Sequence, residues 1–274
     1  MLSKLLKYEL RASGRILLPV YALLLASAGC CSLFYKLAAD HPYRTGAASA
    51  SVLMGLLMMA FWIFVVATGA ITALLMIYRF YKNYMTDEGY LMFTLPVNRH
   101  QLIWAKLLSA LLYTAASAVA VTLSILLVLL PIADWSGFWG DLGELLSSIT
   151  ESLHFGVPGP LLLLWIAVLA ILTVFSGFLM VYAAIALGHS FSNHKILLSV
   201  VFFIAFSLAM QAAGLSSFAF QLTVGEQIIE TSGSAASLLD GTRFLVIDSI
   251  ETLVACGVFY TLTWYSLQKR LNLQ

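Results

Sequence analysis

Charged side chains are scarce in this sequence. Asp, Glu, Lys and Arg make up 10% of its 274 residues, against about a quarter in a soluble domain, while apolar residues reach 61% with a mean hydropathy of +0.95. A single core could not bury this apolar surplus in a chain of this size. The net charge of +1 also excludes a general basic surface for nucleic acid. The composition therefore indicates a membrane protein.

The sequence also lacks the patterns that identify a disulfide scaffold or an enzyme. Its 3 cysteines lie in apolar stretches, so they indicate no extracellular disulfide framework. No Gly is followed by Lys, which excludes a phosphate-binding loop of the G-x-x-x-x-G-K-[ST] type. There is no H-E-x-x-H pattern, no paired-cysteine metal spacing and no G-x-S-x-G elbow. We expect no catalytic residue, no metal site and no cofactor bound by this chain.

Six apolar windows are long enough to cross a bilayer as helices. A hydrocarbon core of about 30 Å needs roughly 20 helical residues, because lipid offers the backbone no hydrogen-bond partner except itself. The predicted fold is all-α, with one transmembrane domain over residues 1–274. The windows cover residues 16–37, 52–78, 105–130, 161–187, 196–220 and 244–267.

The distribution of basic residues predicts the orientation of the chain. With the N-terminus in the cytoplasm, eleven of the 14 Lys and Arg residues lie on the inner side, and only Lys36, Arg44 and Arg243 lie outside. We expect a multi-pass protein of a bacterial cytoplasmic membrane with both termini inside. The inner basic residues are Lys4, Lys7, Arg11, Arg15, Arg79, Lys82, Arg99, Lys106, Lys195, Lys269 and Arg270.

Residues 2–15 predict an interfacial amphipathic helix before the first span. At about 100° per residue, leucines occupy one face and four bases the other. Glu9 lies among the leucines, where a carboxylate against lipid would be costly. Either Glu9 faces protein and meets a basic group of an inner loop, or its side chain extends to water. The four bases are Lys4, Lys7, Arg11 and Arg15.

The segment that ends at Cys30 is similar to a bacterial lipoprotein cleavage site. Three leucines and one alanine are followed by Ser-Ala-Gly-Cys. Two features oppose cleavage: Glu9 lies in the basic region, and the apolar run continues to Tyr35. We expect the first span to be retained.

The second inner loop, residues 79–106, is the most structured polar segment. Asn98 and Gln101 form a capping-box pattern, which predicts the start of a helix that runs into the third span. A short apolar run over residues 90–95 precedes it and is stopped by Pro96. An exposed apolar run on the cytoplasmic side predicts either that a partner protein covers it or that it inserts into the headgroup region.

At this loop the sequence resembles the membrane subunits of ATP-binding-cassette exporters of the second type, the ABC-2 permease family. That family has a coupling helix between spans two and three with the pattern acidic, x, G, x, L, x, x, x, x-P-[VI]-x-R. Tyr90 stands where Thr is common, and Met92 where Glu is common. The resemblance rests on Glu88, Gly89, Leu91, Leu95, Pro96, Val97 and Arg99.

The resemblance implies a six-span permease subunit that exports cargo together with a second permease subunit, identical or related. Separate ATPase subunits would bind ATP and Mg and contact the coupling helix. Residues 188–195 would form a second, shorter contact with the same subunits. The cargo would be amphipathic, such as a peptide or lipid, because apolar spans offer little to a hydrated ion. The residues implied in ATPase coupling are Asp87, Glu88, Gly89, Tyr90, Leu91, Phe93, Leu95, Pro96 and Arg99.

Two acids begin the last span. Asp248 and Glu251 are three residues apart and so lie on one face of a helix near the outer membrane surface. They would line an outer gate that meets cationic cargo, or be interfacial acids favoured by the helix dipole. The alternative function is a membrane receptor or immunity protein that binds a peptide outside without transport.

Overall fold

The chain forms long helices in a computed structural model. Among the described residues there is no strand, and six helices are long and apolar enough to cross a membrane. The predicted six-span, all-α class is confirmed. The helices are α1 (Leu2–Asp40), α2 (Ala47–Met85), α3 (Arg99–Leu129), α4 (Gly159–Gly188), α5 (Lys195–Ser232) and α6 (Gly241–Lys269). The structure describes residues 2–40, 47–86, 88–89, 98–131, 137, 140–141, 143–144, 147–148, 159–191, 194–232 and 241–269.

The helices extend beyond the apolar windows. Five windows lie wholly within a helix, and the third exceeds α3 by one residue, Leu130. A hydropathy window detects only residues that suit lipid, whereas helical hydrogen bonds continue into polar sequence until a cap or breaker ends them. Helix α3 begins at Arg99, directly after Asn98, as the capping pattern predicts.

The N-terminal helix differs from the prediction in one respect. Residues 2–15 are helical, but they are continuous with the first span instead of forming a separate interfacial element. The 39 residues of α1 would extend about 58 Å, well beyond a hydrocarbon core of about 30 Å. Pro19 lies inside this helix without ending it. One reason for the continuity is that α1 makes buried contacts with α2 and α3 before Pro19, described below.

The chain divides into two compact units. Unit 1 comprises residues Met1–Phe80 and Gln101–Ser136, and unit 2 comprises Tyr81–His100 and Gly137–Gln274. Unit 1 therefore contains α1 and most of α2 and α3, while unit 2 contains α4, α5 and α6. The sequence predicts a single domain. Hydropathy alone does not predict its division into two compact units.

The core of unit 1 joins its three helices. Large and small side chains pack together there, and the thiol of Cys31 donates to the Leu57 carbonyl over 3.4 Å. Because lipid is as apolar as leucine, close packing and such hydrogen bonds hold the helices together. The buried cluster consists of Leu24, Ala28, Cys31, Phe61, Ala120 and Val128.

In unit 2, α4 packs against both α5 and α6. Its C-terminal half carries small buried residues, Ala183, Ala184 and Ala186, which let helix backbones approach closely. Many large apolar side chains elsewhere are exposed, such as Leu215 at 70%. In a membrane protein these surfaces face lipid.

Candidate functional site

A buried cluster of three charges lies in unit 1. Glu9 and Lys106 are only 8% and 3% exposed. The Lys106 Nζ atom lies 2.6 Å from Glu9 Oε1, and Arg79 Nη2 lies 3.4 Å from Glu9 Oε2. One carboxylate on α1 thus bridges a guanidinium on α2 and an ammonium on α3.

Hydrogen bonds complete this charge cluster. Arg79 Nη1 donates to the Glu9 carbonyl at 3.1 Å and to Ser13 Oγ at 2.5 Å, and Lys106 Nζ donates to the Arg79 carbonyl at 3.4 Å. A buried ion pair is tolerated only when further hydrogen bonds satisfy its donors and acceptors. Arg79, the second base that pairs with Glu9, and these three hydrogen bonds meet that requirement.

The cluster resolves the two alternatives for Glu9. The prediction that Glu9 faces protein and meets a basic group is confirmed, since two bases from the segment over residues 79–106 contact it. The opposite face of the helix is as predicted, with exposed side chains at Lys4, Lys7, Arg11 and Arg15.

Tyrosines continue the contact between α1 and α3 beyond the charges. Tyr113 Oη donates to the Leu10 carbonyl, and Tyr21 Oη donates to the Tyr113 carbonyl at 3.2 Å. A Cβ atom at Gly14 would lie 3.0 Å from Tyr113 Oη, so this glycine allows the close approach. Sequence reasoning did not identify Ser13 or Tyr113, because a lone hydroxyl in an apolar window carries no periodic signal.

The predicted coupling segment is described only at its edges. Glu88 is exposed and pairs with Lys82 at 3.1 Å, and the Gly89 N–H donates to the Thr86 carbonyl at 2.8 Å. These contacts form a turn directly after α2. The remaining residues proposed for coupling, apart from Arg99, lie outside the described residues: Asp87, Tyr90, Leu91, Phe93, Leu95 and Pro96.

The start of α3 contacts the end of α6. Arg99 Nη1 donates to the Leu267 carbonyl, one of the carbonyls without an intrahelical partner in the last turn of α6. His100 stacks on Tyr260 and Trp264 with ring-centroid distances of 5.9 and 5.4 Å, and its Nδ1 lies 2.6 Å from Tyr260 Oη. Sequence reasoning assigned Arg99 to ATPase coupling and missed this packing.

The end of α4 and the first turns of α5 approach each other very closely. A Cβ atom at Gly188 would lie 2.1 Å from Ser199 Oγ and 2.5 Å from the Ser199 backbone nitrogen, so only glycine fits. His194, which directly precedes α5, has a φ of 53°, an uncommon conformation for a residue with a side chain. Its carbonyl accepts from the Leu198 N–H at 2.9 Å, which closes the first turn of α5.

The two acids predicted to lie near the outer membrane surface have different surroundings. Asp248 is exposed, whereas Glu251 is half-buried and its Oε2 accepts from Ser217 Oγ of α5 at 3.1 Å. The neighbouring Ser249 accepts from Trp165 Nε1 of α4 at 3.0 Å. Both acids lie in α6, three residues apart, and of the two only Glu251 makes a hydrogen bond to another helix in the described part of unit 2.

Comparison with known proteins adds no assignment. No family model, no curated protein and no solved structure matches this chain. Within the described residues, no group of three or more His, Cys, Asp or Glu side chains is arranged to hold a metal ion.

Proposed function

We propose that this chain is the permease subunit of an ATP-driven exporter similar to the ABC-2 family. It forms the translocation path for an amphipathic cargo such as a peptide or lipid. Separate ATPase subunits bind ATP and Mg and act on the cytoplasmic segment between α2 and α3. A second permease subunit, identical or related, completes the path in the bacterial cytoplasmic membrane, with both termini in the cytoplasm.

The observation that carries this proposal is the buried cluster of Glu9, Arg79 and Lys106. The coupling segment connects α2 to α3, and the cluster joins both of these helices to α1. A force on the segment is therefore applied to the helix ends that hold Glu9. Because the ion pairs are buried, they resist separation, and α1 moves with α2 and α3.

This arrangement suits a two-state exporter. ATP binding in the partner has to favour one arrangement of the spans by a few kcal/mol. A rigid contact among three helices, two of which the segment connects, transmits such a difference better than a flexible linker would. The turn formed by Thr86, Glu88 and Gly89 begins the segment immediately after α2.

Deletion of residues 89–96 tests the proposal. The tagged full-length chain is extracted from its native membrane in mild detergent, and captured partners are identified by mass spectrometry and assayed for ATP hydrolysis. We expect the intact chain to capture an ATP-hydrolysing subunit and the deletion variant to insert normally but lose it. Removal of residues 143–150 from an outer connection is a deletion of equal length and serves as the control.

Two results would overturn the proposal. One is unchanged capture of the ATPase by the variant lacking residues 89–96, which excludes the coupling role. The other is recovery of the intact chain with no ATP-hydrolysing partner, which favours a receptor or immunity protein.

A further inference from the structure

A groove of about 800 Å³ opens in unit 2 at the turn between α4 and α5. Its polar lining includes His189 and Lys195, and its apolar lining includes Ile196 and Val200 of α5 and Met85 at the end of α2. The charge cluster described above plays no part in it. The groove therefore needs a separate explanation.

His189 is the buried polar group of this groove. It is 5% exposed, and its Nδ1 lies 2.9 Å from the Ile185 carbonyl. A carbonyl only accepts, so Nδ1 carries the ring proton. Burial lowers the pKa of His189, and the Lys195 ammonium lowers it further, against the opposing effect of the Ile185 hydrogen bond. The ring is then neutral at pH 7, and Nε2 is an acceptor that no described residue occupies.

Lys195 supplies positive charge at the same place. It is the first residue of α5, where backbone N–H groups without intrahelical partners and the helix dipole also attract anions. Tyr81 fixes the neighbouring His189 ring, with an edge contact at a centroid distance of 5.4 Å. The polar end of the groove thus combines a site for an anion with an acceptor for a hydrogen-bond donor.

The other end of the groove suits hydrocarbon. Ile196, Leu197 and Val200 are 67%, 62% and 51% exposed, and all three belong to a helix apolar enough to cross a membrane. Such side chains face acyl chains, while Lys195 lies at the level of the headgroups under the predicted orientation. A water-soluble protein partner would not reach this apolar wall, so the occupant is a lipid.

We propose that the groove binds one phospholipid with an anionic phosphate and a hydroxyl-bearing headgroup, as in phosphatidylglycerol. Lys195 and the first N–H groups of α5 hold the phosphate. His189 Nε2 accepts a hydrogen bond from the headgroup hydroxyl. An acyl chain lies along Ile196 and Val200. This site does not depend on the transport function proposed above.

Native mass spectrometry of the delipidated full-length chain tests the site. The chain is titrated with phosphatidylglycerol, with phosphatidylmethanol, which has the same charge and no headgroup hydroxyl, and with phosphatidylcholine. We expect the Lys195→Gln variant to bind phosphatidylglycerol about fivefold more weakly than the wild type, since one cation near the surface contributes about 1 kcal/mol. The control is Lys36→Gln. It removes an exposed cation near the C-terminal end of α1, which does not line the groove, and should leave binding unchanged.

The headgroup hydroxyl gives a second measurement. The wild type should prefer phosphatidylglycerol to phosphatidylmethanol by a few fold, the effect of one hydrogen bond, and His189→Phe should lose this preference while still binding both lipids. If His189→Phe fails to fold, the preference of the wild type for phosphatidylglycerol over phosphatidylmethanol and the weaker binding by Lys195→Gln still test the proposed site.

Three results would overturn the proposal. The first is equal binding of phosphatidylglycerol by the wild type and Lys195→Gln. The second is full competition by inorganic phosphate, which would indicate a phosphate site without a lipid. The third is loss of a captured ATPase from Lys195→Gln with lipid binding unchanged, which would make the turn a protein contact.

Discussion

Units 1 and 2 stabilise their helices by different means. Unit 1 places an acid and a base in its interior, Glu9 and Lys106, and a second base, the half-buried Arg79, also binds Glu9. In unit 2 the interhelical contacts include neutral groups: Ser266 Oγ donates to the Ala186 carbonyl at 2.7 Å and lies 2.9 Å from Ser190 Oγ.

The two units should differ in how much stability they lose when one contact is removed. A buried charge without its partner is strongly destabilising, whereas a hydrogen bond between membrane helices averages about 0.6 kcal/mol. Unit 1 should therefore respond sharply to single substitutions in its charge cluster. Unit 2 should respond mainly where backbones approach closely, as at Gly188.

The largest expected effect comes from Glu9→Leu. This change leaves the Lys106 ammonium, 3% exposed, without its carboxylate, and we expect a loss of about 3–5 kcal/mol in the free energy of unfolding. Thermal or denaturant unfolding in detergent, followed by size-exclusion chromatography, measures it. The Glu9→Leu, Lys106→Met double variant should recover part of the loss because it removes one of the two unpaired bases.

An exposed pair provides the control for Glu9. Glu88→Gln breaks the contact with Lys82, whose side chains are 51% and 49% exposed, and should cost at most about 1 kcal/mol. Equal losses for Glu9→Leu and Glu88→Gln would contradict the contrast between buried and exposed charges.

Gly188→Ala should have the next largest effect. The added methyl group would lie 2.5 Å from the Ser199 nitrogen, and backbone cannot move aside as a side chain can. We expect a loss of roughly 1–3 kcal/mol, measured by the same unfolding assay. Gly177→Ala in the same helix meets nothing within 4 Å and should be neutral or slightly stabilising. A neutral Gly188→Ala would show that α4 and α5 do not approach so closely.

The smallest effect concerns pH and His189. Burial lowers the pKa of His189 in the folded chain, so the unfolded chain takes up a proton first as the pH falls through about 6.5. The contribution of His189 to stability is therefore complete above that pH and declines below it. We expect the wild type to lose more stability than His189→Phe between about pH 7.5 and pH 5.5, as unfolding midpoints at the two pH values will show. A parallel decline in both chains would assign the pH effect to other groups.

Sequence reasoning predicted the Glu9 environment in part. The helical angle of Glu9 indicated that it avoids lipid, through a protein partner or by extending to water, because lipid on that face would penalise a carboxylate. The angle could not identify the partners, since Lys106 lies 97 residues away along the chain. For Asp248 and Glu251, spacing predicted a common face, but only packing against Ser217 distinguishes the two acids.

The sequence alone determined that this protein has six long apolar helices, that one N-terminal face is basic and that the Glu9 carboxylate must avoid lipid, through either a protein partner or water. These properties follow from hydropathy and local periodicity, because each helix in lipid satisfies its own backbone. Tertiary structure decided the rest: that Arg79 and Lys106 bind Glu9, that Gly188 lies against Ser199, and that His189 and Lys195 line a groove. Those pairings depend on how each helix is rotated against its neighbours, and rotation is set by side-chain packing between segments distant in the chain.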